Sequence, residues 1–298
     1  MKKYAPLFVI IAASLWGIDG VVLRPALYSL PVILVVFVES SIVAVSLSPF
    51  FYKQLPKIKS LTKNEWFAFI GIALFGGAIG TMAITKALFF VNYVNLSIVI
   101  LIQKLQPVFA LALAAILLKE RLPKIFFLWA LIAIMGAYLM TFGFSAPNFS
   151  TGDKTTIAAA LSLIAAISFS SSTVLSKIGL KNIGYEFGTY LRFLFSSIIM
   201  IALVFSFGEF GSLLQISAVQ WGVFLIIAFT TGGAAIFIYY FGLKNISASV
   251  ATICELAFPL TAVILDYLLH GNTLSMVQFF GVALLIFSII KVSGLKMQ

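Results

Sequence analysis

The sequence predicts an all-α integral membrane protein of ten transmembrane helices, arranged as two inverted five-helix repeats. Three observations predict it. Of 298 residues, 62% are hydrophobic and only 9% charged, and mean hydropathy is +1.15; a water-facing domain carries roughly 25% charged residues. The apolar residues fall into ten runs of about the 20 residues that a bilayer core requires. The second half of the chain partly overlays the first at a near-constant offset.

The ten runs cover 5–23, 32–52, 66–91, 96–118, 125–143, 156–178, 186–207, 220–243, 247–269 and 275–292. Turn and charge signals separate them: Arg24-Pro25, Lys53 to Lys63, Asn92 to Asn95, Lys119 to Lys124, Ser145 to Lys154, Lys181 to Gly184, Gly208 to Gly211, Lys244-Asn245 and Gly271-Asn272. Barrel strands would be about ten residues with alternating polarity, and these runs are longer and apolar throughout. Lys2 and Lys3 precede the first run as in a signal peptide, but no convincing cleavage site follows. The run is therefore expected to stay as the first helix.

The basic residues give an orientation. One side collects Lys2, Lys3, Lys53, Lys57, Lys59, Lys63, Lys119, Arg121, Lys124, Lys177, Lys181, Lys244, Lys291 and Lys296; the other has Arg24 and Lys154. Both termini are expected on the cytoplasmic side of a bacterial-type inner membrane. The net charge of +10 does not indicate nucleic acid, because the cations sit in short loops between apolar runs. The single cysteine, Cys254, cannot form an internal disulfide. The single histidine, His270, falls in a predicted loop. No metal ligand set is expected.

A shift of about 152 positions aligns Gln103 with Glu255, Pro107 with Pro259, Leu122 with Leu274, Gly80 with Gly232, and Asn95-Leu96-Ser97 with Ser247-Ala248-Ser249. One further residue of shift aligns Trp16 with Phe169, Arg24 with Lys177 and Glu39 with Arg192. The expected division is a first repeat over 1–143, a linker over 144–154 and a second repeat over 155–298. An odd helix number per repeat inverts the second relative to the first. Inverted repeats recur in secondary transporters, with the substrate site near the midplane between the halves.

The chain resembles the drug/metabolite transporter superfamily, and within it the EamA-type ten-helix permeases. The resemblance rests on Ser14-Leu15-Trp16-Gly17, on Gln106-Pro107-Val108-Phe109 with Lys119-Glu120-Arg121-Leu122, and on Leu191-Arg192-Phe193. It departs at Gln106 and Phe258, where the family usually has Glu before the proline, and at Glu39, where Arg is frequent. The resemblance implies a carrier exporting amino acids or related small metabolites. Facilitative exchange and efflux of drugs or organic cations are the alternatives.

Ionisable groups at membrane depth are costly and mark functional candidates. Asp19, Glu39, Lys86 and Lys104 fall in one tier, and Arg192 and Glu255 in another. Each tier sums to zero, so mutual pairing is expected. Lys104 or Arg192 would hold a carboxylate, and Asp19, Glu39 or Glu255 an ammonium group. Trp16, Tyr239 and Tyr240 would pack an apolar or aromatic side chain of the substrate or hold a cation over a ring face, and Gln103 is a further contact candidate. Structural ion pairs and ordinary aromatic packing are the competing readings. Gly76, Gly80, Gly232 and Gly233 are expected at close helix contacts, and Pro107 and Pro259 at matching bends. No cofactor is expected beyond possible proton coupling at Glu39 or Glu255. The expected partners are a small solute and lipid, with a monomer or homodimer both compatible. No HExxH or GxSxG motif points to an enzyme, and nothing resembles a channel filter loop.

Overall fold

The structure, a computed structural model, describes residues 4–90, 99, 102–145, 153–270 and 274–295, without the side chains of Asp153, Thr155, Asp266 and His270. The expected turn at Asn92 to Asn95, the match at Asn95-Leu96-Ser97, the Gly271-Asn272 break, the His270 side chain, and Lys2, Lys3 and Lys296 lie outside the described residues. Every element among those described is a helix, with no strand among them. Among the described residues, nine helices are long and apolar enough to cross a membrane: α1 Ala5–Leu27, α2 Val32–Ser60, α3 Lys63–Phe89, α5 Lys124–Phe142, α6 Thr156–Gly179, α7 Tyr185–Ser206, α8 Ala218–Asn245, α9 Ala248–Leu269 and α10 Met276–Ser293. The fourth run appears as a shorter apolar helix, α4, Gln106–Leu118.

Local chemistry explains several boundaries. Thr62 and Glu65 form a reciprocal capping box at the start of α3. Ser217 and Gln220 do the same for α8, and Ser275 and Gln278 for α10. Each box satisfies two backbone donors that a helix start leaves free. One expected boundary is corrected. Arg24-Pro25 is not a loop: α1 runs on through a 3-10 turn at Arg24–Leu27 with Pro25 at its start, where the missing N–H costs nothing. The helix ends beyond it, ahead of Pro31.

Helix packing has the symmetry that the offset predicts. α1 packs on α8 and on α9, while the equivalent α6 packs on α3 and on α4; α2 pairs with its own equivalent α7, and α5 with α10. Helices α3 and α8 also share a π-helical stretch, at Ile72–Ile79 and Ala228–Gly232. The 152-residue shift places these on one another. Such stretches are frequent at functional sites.

The paired prolines act differently from a simple bend. The fourth and ninth helices are interrupted just ahead of them, by turns at Lys104-Leu105 and Glu255-Leu256. Proline lacks the N–H for the carbonyl four residues back and its ring crowds that carbonyl. Those carbonyls belong to Gln103 and Glu255. The backbone compensates with shorter-range bonds, from Val108 N to Leu105 O at 2.9 Å and from Phe258 N to Glu255 O at 3.0 Å.

The repeats are stitched together beyond the interruptions. Glu120, after α4, accepts from Ala248 N at 2.7 Å, Ser249 N at 3.1 Å and Ser249 Oγ at 2.5 Å. A first-repeat carboxylate thus caps the start of a second-repeat helix. Lys177, near the end of α6, donates to the carbonyls of Leu243 at 2.9 Å and Lys244 at 3.0 Å, and to that of Ile246.

Candidate functional site

A cavity of about 260 Å³ lies where the two repeats meet. Its walls come from both repeats at equivalent positions. With a shift of 153, Trp16 faces it with Phe169, Asp19 with Ser172, and Glu39 with Arg192. With a shift of 152, Ile84 faces it with Ile236, Gln103 with Glu255, and Gln106 with Phe258. The cavity therefore straddles the approximate two-fold relation between the halves.

At one end Arg24 gathers two carboxylates. Its Nε and Nη2 donate to Asp19 Oδ2 at 2.9 and 2.6 Å, and Nη2 lies 3.3 Å from Glu39 Oε1. The three side chains are only 11–13% exposed. The expected partners of these acids were Lys86 and Lys104, and the structure corrects this. Lys86 is exposed, with its ammonium 5.7 Å from the Phe90 ring centre. Lys104 is buried and donates to Ala137 O at 2.7 Å and to Thr141 Oγ1. Arg24 was missed because its neighbour Pro25 reads as a turn.

The other charges are also held apart. Glu255 accepts from Gln106 Nε2 at 2.6 Å, Tyr239 OH at 2.7 Å and Thr173 Oγ1 at 3.3 Å. Arg192 donates to Tyr240 OH at 3.3 Å, Ser172 Oγ at 3.4 Å and Gly76 O at 3.3 Å. The expected Arg192–Glu255 ion pair does not form. Each charge instead sits among neutral hydrogen-bonding groups.

Of the ten residues singled out for substrate contact, the structure brings Trp16, Asp19, Glu39, Gln103, Arg192, Tyr239 and Glu255 to this cavity. Tyr240 stands behind Arg192 rather than on the wall. Lys104 lines a smaller cavity of about 80 Å³ between the two interruptions, with Pro107 and Pro259. The glycines do serve close packing. A Cβ on Gly76 would collide with Ser172 Oγ, and one on Gly233 would come within 2.9 Å of a Val43 methyl. At Gly80 it would stand 3.0 Å from the Phe169 ring and 2.5 Å from Phe75 O, while Gly232 is on the cavity wall.

Sequence reasoning did not find Thr85, Ser196 and Thr231 among the lining residues. Seven buried side-chain atoms belonging to cavity-lining residues make no hydrogen bond among the described residues: Asp19 Oδ1, Arg24 Nη1, Glu39 Oε1 (which keeps its ion-pair contact with Arg24), Thr85 Oγ1, Gln103 Nε2, Ser196 Oγ and Thr231 Oγ1. Buried polar atoms are normally paired, so these atoms are hydrogen-bonding capacity left over by the protein, for water or for a ligand to take up. Trp16 and Tyr239, with ring centres 5.3 Å apart and planes at 56°, add an aromatic corner.

Known proteins match this arrangement along the whole chain. The family model for the "EamA-like transporter family" matches twice, at residues 3–142 and 156–294. The chain is 48% identical over 291 residues to "Riboflavin transporter ImpX" of Fusobacterium nucleatum subsp. nucleatum, covering 97% of each. It is 30% identical over 243 residues to "Uncharacterized transporter sll1164" of Synechocystis, covering 78% of this chain and 67% of that one. A solved crystal structure at 17% identity superposes with a TM-score of 0.75, over 99% of this chain and 97% of the other, and speaks for the fold. By both repeats and over nearly its full length, the chain belongs to the EamA-like transporter family.

Proposed function

We propose that this multi-pass membrane transporter carries riboflavin or a closely related flavin by alternating access between its two repeats. The observation that carries the reading is the cavity lining: aromatic faces beside side chains with seven buried polar atoms that make no protein hydrogen bond. A flavin is a flat ring system with a polyol chain, and it needs stacking surface and many hydrogen bonds rather than a counter-charge. The riboflavin transporter 48% identical to this chain supports the same substrate class.

This replaces amino-acid export as the preferred reading. A zwitterion needs a free cation and a free anion near each other. Arg192 has no carboxylate partner among the described residues, but Asp19 and Glu39 are engaged by Arg24 and Glu255 already accepts three hydrogen bonds, which leaves less for an ammonium group. Direction of transport, a cytoplasmic location for both termini and an inner-membrane setting remain part of the proposal. Proton coupling does too, with Glu255 the favoured carrier: its hydrogen bonds come from neutral groups, whereas Glu39 shares Arg24.

Counterflow in liposomes tests the substrate. Vesicles preloaded with riboflavin are expected to accumulate labelled riboflavin, and excess unlabelled amino acids are expected to leave that signal unchanged. Accumulation driven by amino acids but not by flavins would return the assignment to amino-acid transport.

A further inference from the structure

The polar end of the cavity is chemically particular. Arg24 spends Nε and Nη2 on one oxygen of Asp19, Oδ2. That leaves Asp19 Oδ1 and Arg24 Nη1, both buried and both on side chains that line the cavity, without a protein hydrogen bond. One is a strong acceptor and the other a strong donor, each carried by a charged group. Charge-assisted hydrogen bonds of this kind are the stronger ones.

Trp16 precedes Asp19 by three residues on α1, which puts both on one helix face. Gly20 adjoins them on the wall, and a Cβ there would meet nothing closer than Phe258 Cε2 at 3.9 Å. The result is an aromatic face, an open patch of backbone and a donor–acceptor pair on a single helix.

We propose that the Asp19–Arg24 pair reads the imide edge of a flat heteroaromatic ring that packs against Trp16. An imide presents carbonyl, N–H and carbonyl in a row. Asp19 Oδ1 takes the N–H, and Arg24 Nη1 donates to a flanking carbonyl. The proposal rests on the flavin reading, since the flavin ring carries such an edge. A carboxylate ligand is disfavoured here, because Asp19, Glu39 and Arg24 together sum to one negative charge. A neutral imide adds no charge to the cluster.

The test uses the full chain in lipid nanodiscs, followed by riboflavin fluorescence. Lumiflavin keeps the imide but lacks the polyol chain, and is expected to compete with riboflavin. Ribitol, the polyol alone, is expected not to compete at millimolar concentration. In 3-methylriboflavin a methyl replaces the imide hydrogen, and at least about tenfold weaker binding is expected from losing a bond to a buried charged acceptor. Riboflavin bound with 3-methylriboflavin within about twofold of it overturns the imide assignment and leaves the flavin reading standing. Absence of riboflavin binding, by protein active in counterflow with another solute, overturns both.

Discussion

Tyr239 and Tyr240, neighbours on α8, hold opposite charges. The hydroxyl of Tyr239 donates to Glu255 Oε1 at 2.7 Å, and that of Tyr240 accepts from Arg192 at 3.3 Å. Adjacent residues of α6 repeat the division, with Thr173 turned to Glu255 and Ser172 to Arg192. Two helices therefore keep a cation and an anion apart by alternating whom they serve.

Removing one hydroxyl should act unequally on the two charges. Tyr239→Phe takes a short bond from a buried carboxylate, and a hydrogen bond to a charged group is worth about 1.5–3 kcal/mol. Counterflow should fall roughly tenfold or more by the same arithmetic. Tyr240→Phe removes a longer contact, and the effect should be smaller. Rates normalised to folded protein check the order, and an equal loss in both variants contradicts it.

Arg24 is expected to be structural as well as polar. Arg24→Gln leaves two carboxylates buried without their cation, and breaking a buried pair costs about 3–5 kcal/mol. The melting temperature in detergent should drop sharply. Neutralising all three residues, as Arg24→Met with Asp19→Asn and Glu39→Gln, should recover much of the thermal stability but not flavin transport. A melting temperature unmoved by Arg24→Gln contradicts the pairing.

Close packing at Gly76 is expected to be specific. A side chain there meets Ser172, with Arg192 Nη2 only 3.1 Å from the added Cβ. Gly76→Ala should destabilise by about 1–3 kcal/mol, as overpacking does. Adding Ser172→Gly should restore folded yield by removing the colliding atoms. A double variant no better than the single one places the damage elsewhere.

The prolines should matter to motion more than to folding. Pro107→Ala and Pro259→Ala restore an N–H that can reach the carbonyls of Gln103 and Glu255, and so favour continuous helices across both interruptions. Counterflow is expected to fall while size-exclusion profiles stay close to those of the native chain. Parallel loss of folded protein and activity contradicts this.

The fold was legible because hydrophobicity is a collective signal. Ten apolar runs and the paired Pro107 and Pro259 survive many substitutions in between. The site was legible only where a residue was out of place in lipid, as with Asp19, Glu39, Arg192 and Glu255. Thr85, Ser196 and Thr231 gave no warning, because small hydroxyl residues in a membrane helix usually bond to their own backbone. Ser162 and Ser288 do so, and sequence cannot tell the two cases apart. Charge partners were the weakest inference. Summing charges by depth predicts neutrality but not geometry, and Arg24 supplied what Lys86 and Lys104 were expected to supply.

Glu39 and Arg192 stand at equivalent positions in the two repeats and carry opposite charge. In a carrier that works by exchanging the conformations of its halves, identical halves would make the two end states copies of equal energy related by a two-fold rotation. Under the proposed alternating access, exchange would move a bound pair, Glu39 with Arg24, into surroundings that its counterpart Arg192 occupies without a carboxylate. The two end states would then differ in electrostatic energy before any solute binds. The resting population would lean to one side of the membrane, with the chain's own sequence setting which side.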